Sequence, residues 1–497
     1  MKTTDFESRT THSRDICVCN KILRTTKNQI MNTRVCIILL LLVISFSCNK
    51  TLPEKFLDGI LEVPENRNDP NSRTLKLVYK VLKAKNPDSL KAPVVFLQGG
   101  PGGATLIMEK MWDNHPFRND RDIVLMDQRG TGKSEANCIN IGEALFAVMA
   151  KDYNIEEDFE ATEILLAECK KTIQQKGVNL EGYNSRESAS DFEDLRKALG
   201  YKKWNLYGAS YGSRLGLTIM RDFPKSVRSA ILLGVFPPES NIFGDRVRSI
   251  DKSLSMVFQK CEDNKDCNRR YPNLKERLRE VLLKMQTEPL HFDYKGNPFV
   301  LNSHDAFLLL FVSLYDRHSI ANTPFFIEAL ENGEPKPIIE FLKAFESFFS
   351  LINWPMNYSV DAYEELPFYD ESDLDIAIEQ SEFGFAFTFY KSAVKLLTDW
   401  HSYRATNIEN QSVVSKIPTL MVSGGLDQVT PSSNATGALK YLTNGYEVIF
   451  PDESHHFLNP CLFKITEEFI NDPFQKPEID CSSETKPIEW NLSRIVQ

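Results

Sequence analysis

"NLYGASYGSRLGL", residues 205–217, runs from an apolar, strand-like stretch into a helix-like one, and the joint between them is Gly208-Ala209-Ser210-Tyr211-Gly212. A serine on a tight turn between a buried strand and a helix presents its hydroxyl at the edge of a sheet. Glycines on either side let the backbone take a strained geometry and let the helix pack close to the strand. The pattern G-x-S-x-G also arises by chance as a glycine-rich connector. Here the strand "WNLY" before it and the helix "RLGLTIMRDF" after it supply the context that makes Ser210 a candidate nucleophile.

Working outward, the strand signals "TLKLVYKVLKA", "APVVFLQ" and "DIVLMDQ" precede this joint, and "RSAILLG" follows it. Several of these short apolar runs are separated by helix-like stretches such as "DFEDLRKALG" (191–200). Strand and helix in alternation predict an α/β fold with a mostly parallel sheet. After Pro238 the pattern changes: "NLKERLREVLLKMQ", "DAFLLLFVSLYD" and "PIIEFLKAFESFF" have helical apolar spacing, with no clear buried strand among them. Strands resume in "IPTLMVSGG" (417–425) and "YEVIFPD" (446–452), followed by the helix-like "LFKITEEFIND". The expected organisation is an export segment over 1–48, a first core part over 49–240, an inserted helical cap over 241–404, and a second core part with a C-terminal tail over 405–497. No solenoid-type repeat or low-complexity tract is present.

A serine hydroxyl is a weak nucleophile, so a base must take its proton and a third group must hold that base in the right tautomer. In this architecture the partners follow in the chain order serine, acid, histidine. "TLMVSGG" ends in "LDQVTP", which puts Asp427 just past a strand, and "EVIFPD" is followed by "ESHHF", which puts His455 and His456 just past the next. All would lie at the carboxyl edge of the sheet, where α/β folds place their chemistry. Asp427 is the candidate acid and His455 the candidate base, with His456 a neighbour at the rim. The oxyanion of an acyl-transfer intermediate needs backbone donors. The N–H of Tyr211, after the serine, is one source. Gly99 and Gly100 in "FLQGGPGGAT" (96–105) are the candidates for the second.

The chain has 497 residues with a net charge of -10, 42% hydrophobic and 25% charged, as in an ordinary soluble globular protein. That balance argues against nucleic-acid binding, which needs a basic surface. No CxxC pair or His/Cys cluster at metal-ligand spacing occurs after residue 48, so neither a metal nor a cofactor is expected. The one long apolar run, "CIILLLLVISFS" (36–47), is short for a membrane span and suits a secretory signal. It follows Arg34 and ends at Ser47-Cys48, which resembles the lipobox of bacterial lipoproteins, with Cys48 the lipidated residue. "MNTR" makes a better start of such a signal than the acidic stretch before it, which points to Met31 as the true start. The alternative is a plain cleaved signal or a short hydrophobic anchor. The expected location is therefore outside the cytoplasm, with a lipid anchor in a bacterial membrane facing the periplasm or the exterior.

Beyond Cys48 six cysteines remain, an even number that suits disulfides in an exported chain. Neighbours in sequence pair Cys138 with Cys169, Cys261 with Cys267, and Cys461 with Cys481, one of 15 connectivities that six cysteines allow. Six buried thiols are the alternative.

"QGGPGG" (98–103), "DQRGTGKS" (127–134), "GASYGSRL" (208–215), "GGLDQVTP" (424–431) and "PDESHHF" (451–457) together resemble the ordered motifs of the proline iminopeptidase branch of α/β-hydrolases. In particular they resemble its secreted tripeptidyl aminopeptidase-like members. The resemblance implies an α/β-hydrolase fold with Ser210 as nucleophile, Asp427 as orienting acid and His455 as base, and removal of short N-terminal pieces from peptides that have a free N-terminus. It implies that Asp127, Arg129 and Gly130 support the site. The chain departs from the family at Gln98, where histidine is common, at Asp452 and Ser454, where glycines are common, and at Ala362 and Leu397, where a pair of cysteines is common. Recognition of a free ammonium calls for carboxylates at the blind end of the cleft. Glu364 and Glu365 are the candidates, against the alternative of solvated helix charges. A carboxylesterase-like hydrolase and a surface binding protein with a decayed site are the competing readings.

Overall fold

The computed structural model describes residues 56–133, 138, 140–478 and 486–493. The export segment, Cys48 and Cys481 lie outside these residues.

In "TLKLVYKVL" apolar and polar residues alternate, and the stretch forms β2 (Thr74–Leu82), with Leu75 and Leu77 buried and Thr74 and Lys76 exposed. "VVFL" and "IVLM" are apolar throughout and form β3 (Val94–Leu97) and β4 (Ile123–Met126), buried on both faces as interior strands must be. With β1 (Phe56–Pro64), β5 (Trp204–Ala209), β6 (Val227–Leu233), β9 (Thr419–Gly424) and β10 (Gly445–Phe450) they build an eight-stranded sheet in the order β1-β2-β4-β3-β5-β6-β9-β10. The first three strands in that order pair antiparallel, and every later pair is parallel. This is the α/β-hydrolase arrangement. Period-two alternation splits the core. Val95, Leu97, Val124, Met126 and Leu206 pack on one face, and Val94, Phe96, Ile123, Leu125 and Tyr207 on the other.

Every strand read from the sequence is present. Strand β1, "FLDGILEVP", was not among them, because as an edge strand it exposes Leu57 and Ile60 and lacks a clean apolar face. Between β6 and β9 the chain is dominated by helices, but it also contains a hairpin, β7 (Leu290–Tyr294) with β8 (Asn297–Leu301). The sequence showed no clear buried strand here, and the two strands of the hairpin are only partly buried. The hairpin's Lys295-Gly296 turn has both φ angles positive, 53° and 82°, which tightens it into two residues and leaves strands too short to register as an apolar run. A second helical insertion, with helices Ile141–Met149 and Ile155–Gln175, lies between β4 and β5.

Two of the expected disulfides are formed, Cys138–Cys169 and Cys261–Cys267. Cys461 is also disulfide-bonded, while Cys481, its expected partner, lies outside the described residues. Among the described residues no helix is long and apolar enough to cross a membrane.

Candidate active site

The parallel strands end side by side, and the segments that leave them carry Ser210, Asp427, His455 and the glycine-rich loop. Ser210 follows β5 directly. It has φ 56° and ψ −126°, a conformation costly for a residue with a side chain, and it starts the helix Tyr211–Asp222. Its own N–H donates to Leu233 O at 2.9 Å, and its carbonyl accepts from Ser213 Oγ at 2.6 Å. These bonds from β6 and from the next helical turn hold the turn in place. The glycines matter for space: a Cβ on Gly208 would lie 2.3 Å from Gly212 O, and one on Gly212 would lie 1.9 Å from Leu97 O. Ser210 remains half-buried, open to the cleft.

Asp427 and His455 meet as expected, with His455 Nδ1 2.8 Å from Asp427 Oδ2. The Asp427 carboxylate is buried and saturated with donors: Val429 and Thr430 N–H groups each bond Oδ1 at 2.8 Å, and Thr430 Oγ1 donates to Oδ2 at 2.7 Å. Burial opposes its charge, but His455 and the Thr430 bonds outweigh this and hold the carboxyl below its usual range. An ionised carboxylate only accepts, so Nδ1 carries the proton and Nε2 is left with its lone pair. The imidazole rests on the turn after β6: a Cβ on Gly234 would lie 3.2 Å from His455 Cε1. Gly234 is the residue after Leu233, the acceptor of the Ser210 N–H, so the base and the serine flank the same strand end.

Thr430 and Tyr315 were not anticipated. The motif "DQVTP" offered the threonine, whose turn-like setting concealed its role as a second donor to Asp427. Tyr315 comes from the helical insertion, and its ring stands edge-on to the His455 ring with centroids 5.2 Å apart. His456 is exposed, and its N–H donates to Tyr315 O at 2.7 Å, a rim position. Ser454, where glycine is common in the resembling family, is buried within hydrogen-bond reach of the Leu314 and Leu426 carbonyls, so it fixes the histidine loop to both flanking segments.

The loop 98–103 passes close to the serine. A Cβ on Gly99 would lie 3.0 Å from Ser210 Cβ and 3.5 Å from its Oγ, so only glycine leaves room there for a substrate. Gly100 is exposed and turns toward the backbone of Gly102 and Gly103, one step further from the serine. Asp127 shapes this loop by accepting from Thr105 N at 2.8 Å and Leu106 N at 2.9 Å. The insertion holds the loop's other side: Asn353 N–H donates to Gly102 O at 2.9 Å and Asn357 Nδ2 to Pro101 O at 3.2 Å. Arg129 is fully buried, donating to both oxygens of Asp191 at 2.8 Å and to Glu65 O at 2.6 Å, a structural tie below the site.

Helix Trp354–Glu364, whose start clamps that loop, ends in an acidic cluster against the nucleophile helix. The structure commits the two glutamates inward. Glu364 accepts from Ser185 N at 2.5 Å and Ser185 Oγ at 2.9 Å and lies 3.3 Å from Arg214 Nε, and Glu365 pairs with Arg214 Nη1. Arg214 sits four residues after Ser210, about 6 Å further along the helix axis. One turn before Glu365 stands Asp361. It keeps part of its surface open and makes no side-chain hydrogen bond among the described residues. Burial among protein atoms, then the charges of Glu365 and Glu364, push its carboxyl up to about 8. Burial likewise pushes Glu365 up to about 7. Three carboxylates thus gather around the buried Arg214, and the charge of Arg246 also reaches Asp361 and Glu365. Sequence reading missed Asp361 because the adjacent Glu-Glu pair drew the assignment. Ala362 and Leu397 are both buried, on helices Trp354–Glu364 and Phe389–Trp400 that pack together.

Residues 92–270 match the family described as alpha/beta hydrolase fold, and residues 385–482 match the family described as TAP-like protein. The chain is 26% identical over 268 residues to YuaR of Escherichia coli (strain K12), covering 49% of this chain and 50% of that protein. It is 29% identical to the proline iminopeptidase of Neisseria meningitidis serogroup A, over 35% of this chain and 43% of that one. It is 28% identical to the tripeptidyl aminopeptidase of Streptomyces lividans, over 38% of this chain and 36% of that one. The chain spans half or less of the length of these relatives.

Proposed function

We propose that this chain, which has the α/β-hydrolase fold with a TAP-like C-terminal stretch, is an exported serine aminopeptidase that releases short N-terminal pieces from peptides. The observation that carries the reading is the Asp427–His455 pair seated on the strand end that also holds the strained Ser210 turn.

In this reading His455 Nε2 takes the Ser210 proton as Oγ attacks the scissile carbonyl carbon, and the developing oxyanion receives the N–H groups of Tyr211 and of the Gly99–Gly100 loop. Asp427 stays ionised and stabilises the imidazolium. Collapse breaks the C–N bond, His455 passes its proton to the leaving amine, and the acyl group remains on Ser210. Water, deprotonated by the same imidazole, then attacks the acyl-enzyme and releases the N-terminal fragment with a new carboxylate. No metal or organic cofactor enters these steps.

In this reading the free N-terminus of the substrate docks at the acidic cluster, on the side that Arg214 does not fill. Asp361 is the group that meets it, with Glu364 and Glu365 held behind it by Arg214. An ammonium beside three carboxylates gains charge-assisted hydrogen bonds that a blocked or internal peptide nitrogen does not. Homologues named as proline iminopeptidase and tripeptidyl aminopeptidase support the same class. Export with a lipid on Cys48 belongs to this reading, supported by the apolar run before that cysteine and by disulfides that suit an oxidising compartment.

The test is a panel of chromogenic amides with free and blocked N-termini, run beside short acyl esters, with products from a peptide mixture weighed by mass spectrometry. Free-amine amides are expected to be hydrolysed, and Ser210→Ala to abolish both turnover and fluorophosphonate labelling. Faster cleavage of esters than of any amide would assign an esterase instead, and folded wild-type protein that takes no label would assign a binding protein.

A further inference from the structure

Away from Ser210 the fold brings together three side chains that the sequence keeps far apart. Asp158 lies in the first turn of helix Ile155–Gln175, and His304 with Asp305 in the first turn of helix Ser303–Ser313. His304 Nε2 is 2.6 Å from Asp158 Oδ2 and 3.7 Å from Asp305 Oδ2, and one ligand atom from each residue falls within 4.8 Å of the others. Asp305 is only 3% exposed, yet its Oδ2, aimed at this meeting point, has no hydrogen-bond partner, and neither has Asp158 Oδ1. A buried carboxylate oxygen without a donor carries the full desolvation penalty. Asp158 and His304 are both partly exposed, so an ion can reach the place.

We infer that Asp158, His304 and Asp305 form a structural binding site for a divalent transition-metal cation of the Zn²⁺ class. Tetrahedral ligands at the ~2.0–2.2 Å of zinc stand roughly 3.3–3.6 Å apart. The two separations to His304 Nε2 bracket that value, and the two carboxylate atoms lie within 4.8 Å of each other, so side-chain adjustments of about an ångström complete the geometry, with water as a fourth ligand. The donor set selects the ion: one imidazole with two carboxylates suits zinc and its neighbours, whereas calcium takes six to eight oxygens and magnesium keeps an octahedral shell of oxygens.

The site joins the helical insertion after β4 to the one after β6. Nearby, that junction has two hydrogen bonds, Val300 N–H to Ala150 O at 3.1 Å and Asn302 Nδ2 to Lys151 O at 2.9 Å. A metal there acts as a staple between the two. The sequence expectation of no metal searched for His and Cys at short spacing, and a ligand 146 residues away from its histidine lies outside any such pattern.

The competing occupant is a proton alone, with His304 as an imidazolium between two aspartates. The test uses tag-free protein treated with chelator, titrated with Zn²⁺ by calorimetry and by thermal melting, with Co²⁺ absorption as a report of tetrahedral geometry. One zinc per chain, a raised melting temperature and a tetrahedral Co²⁺ spectrum are expected. His304→Gln and Asp305→Asn should each weaken binding at least tenfold, and Asp158→Asn, on the more exposed side, is the second readout should either variant fold poorly. No saturable binding to the wild type, or equal binding by Asp158→Asn, overturns the assignment and leaves the imidazolium. Hydrolysis of peptides is not part of the readout, so the result stands apart from the function proposed for Ser210.

Discussion

Gly212 packs so tightly against Leu97 that a methyl group on it would lie 1.9 Å from the Leu97 carbonyl oxygen. That oxygen belongs to β3, in the middle of the sheet, and has nowhere to retreat. Gly212→Ala must therefore push the nucleophile helix away from the strand. The expected loss is about 3 kcal/mol of unfolding free energy, at the upper end of overpacking, read from urea denaturation. Activity should fall further than stability, because the same displacement moves Ser210.

Asp427→Asn removes the charge that fixes the imidazole tautomer while keeping its shape. The amide can donate to Nδ1, which would leave Nε2 protonated and unable to accept from Ser210. A fall in kcat of about 10⁴-fold is expected, with folding retained. Stability responds to pH in a definite sense. The Asp427 carboxyl is depressed in the folded state, so its contribution is complete above the ordinary carboxylate range and is lost as pH falls through the lower, folded value. Wild type and variant melts should converge in strong acid and separate above about pH 4.

Asp361→Asn tests the ammonium anchor. KM for free-amine amides should rise by roughly tenfold or more while blocked amides change little, in line with loss of a charge-assisted bond. In wild type kcat/KM should climb as Asp361 ionises near pH 8 and fall again as the substrate ammonium, with an ordinary value of about 8, loses its proton. The variant should lose the part of the rise that lies near pH 8 and keep the one that the general base requires. Because the folded carboxyl is raised, its ionisation weakens the fold, and the penalty grows from about pH 4 and is complete above about pH 8. Asp361→Asn should melt higher than wild type in mild alkali and at the same temperature near pH 4.

The disulfides should differ in worth. Cys138–Cys169 closes a loop with a sequence separation of 31 and Cys261–Cys267 one of 6. Loop-closure entropy then assigns about 4 kcal/mol to the first and about 2 kcal/mol to the second. Paired Cys→Ser variants measured by chemical denaturation check both the size and the order.

What could be read from the chain and what could not divide along physical lines. The strands around Ser210 are short, apolar and punctuated by glycine and aspartate, so their order and the placement of Ser210, Asp427 and His455 at strand ends were visible. Strand β1 was not, since it exposes Leu57 on one face and Ile60 on the other, which breaks the alternation. The β7–β8 hairpin depends on two residues of positive φ, which a Lys-Gly pair only hints at. The acidic segment was legible, but which of its carboxylates remains open was not, because that is decided by Arg214 and Ser185, contributed by segments about 150 and 180 residues earlier. Thr430 stood in a motif that reads as a turn, and Tyr315 has no signature at all; their parts come from distances to Asp427 and His455 that only the folded chain defines.

Asn353 and Asn357 grip the glycine-rich loop from above while Gly99 reaches beneath them to the serine. The start of helix Trp354–Glu364 and the glycine-rich loop are therefore one mechanical unit. Any movement of the segment that carries the two asparagines would tug on the backbone that stands against Ser210, so the two can only shift together.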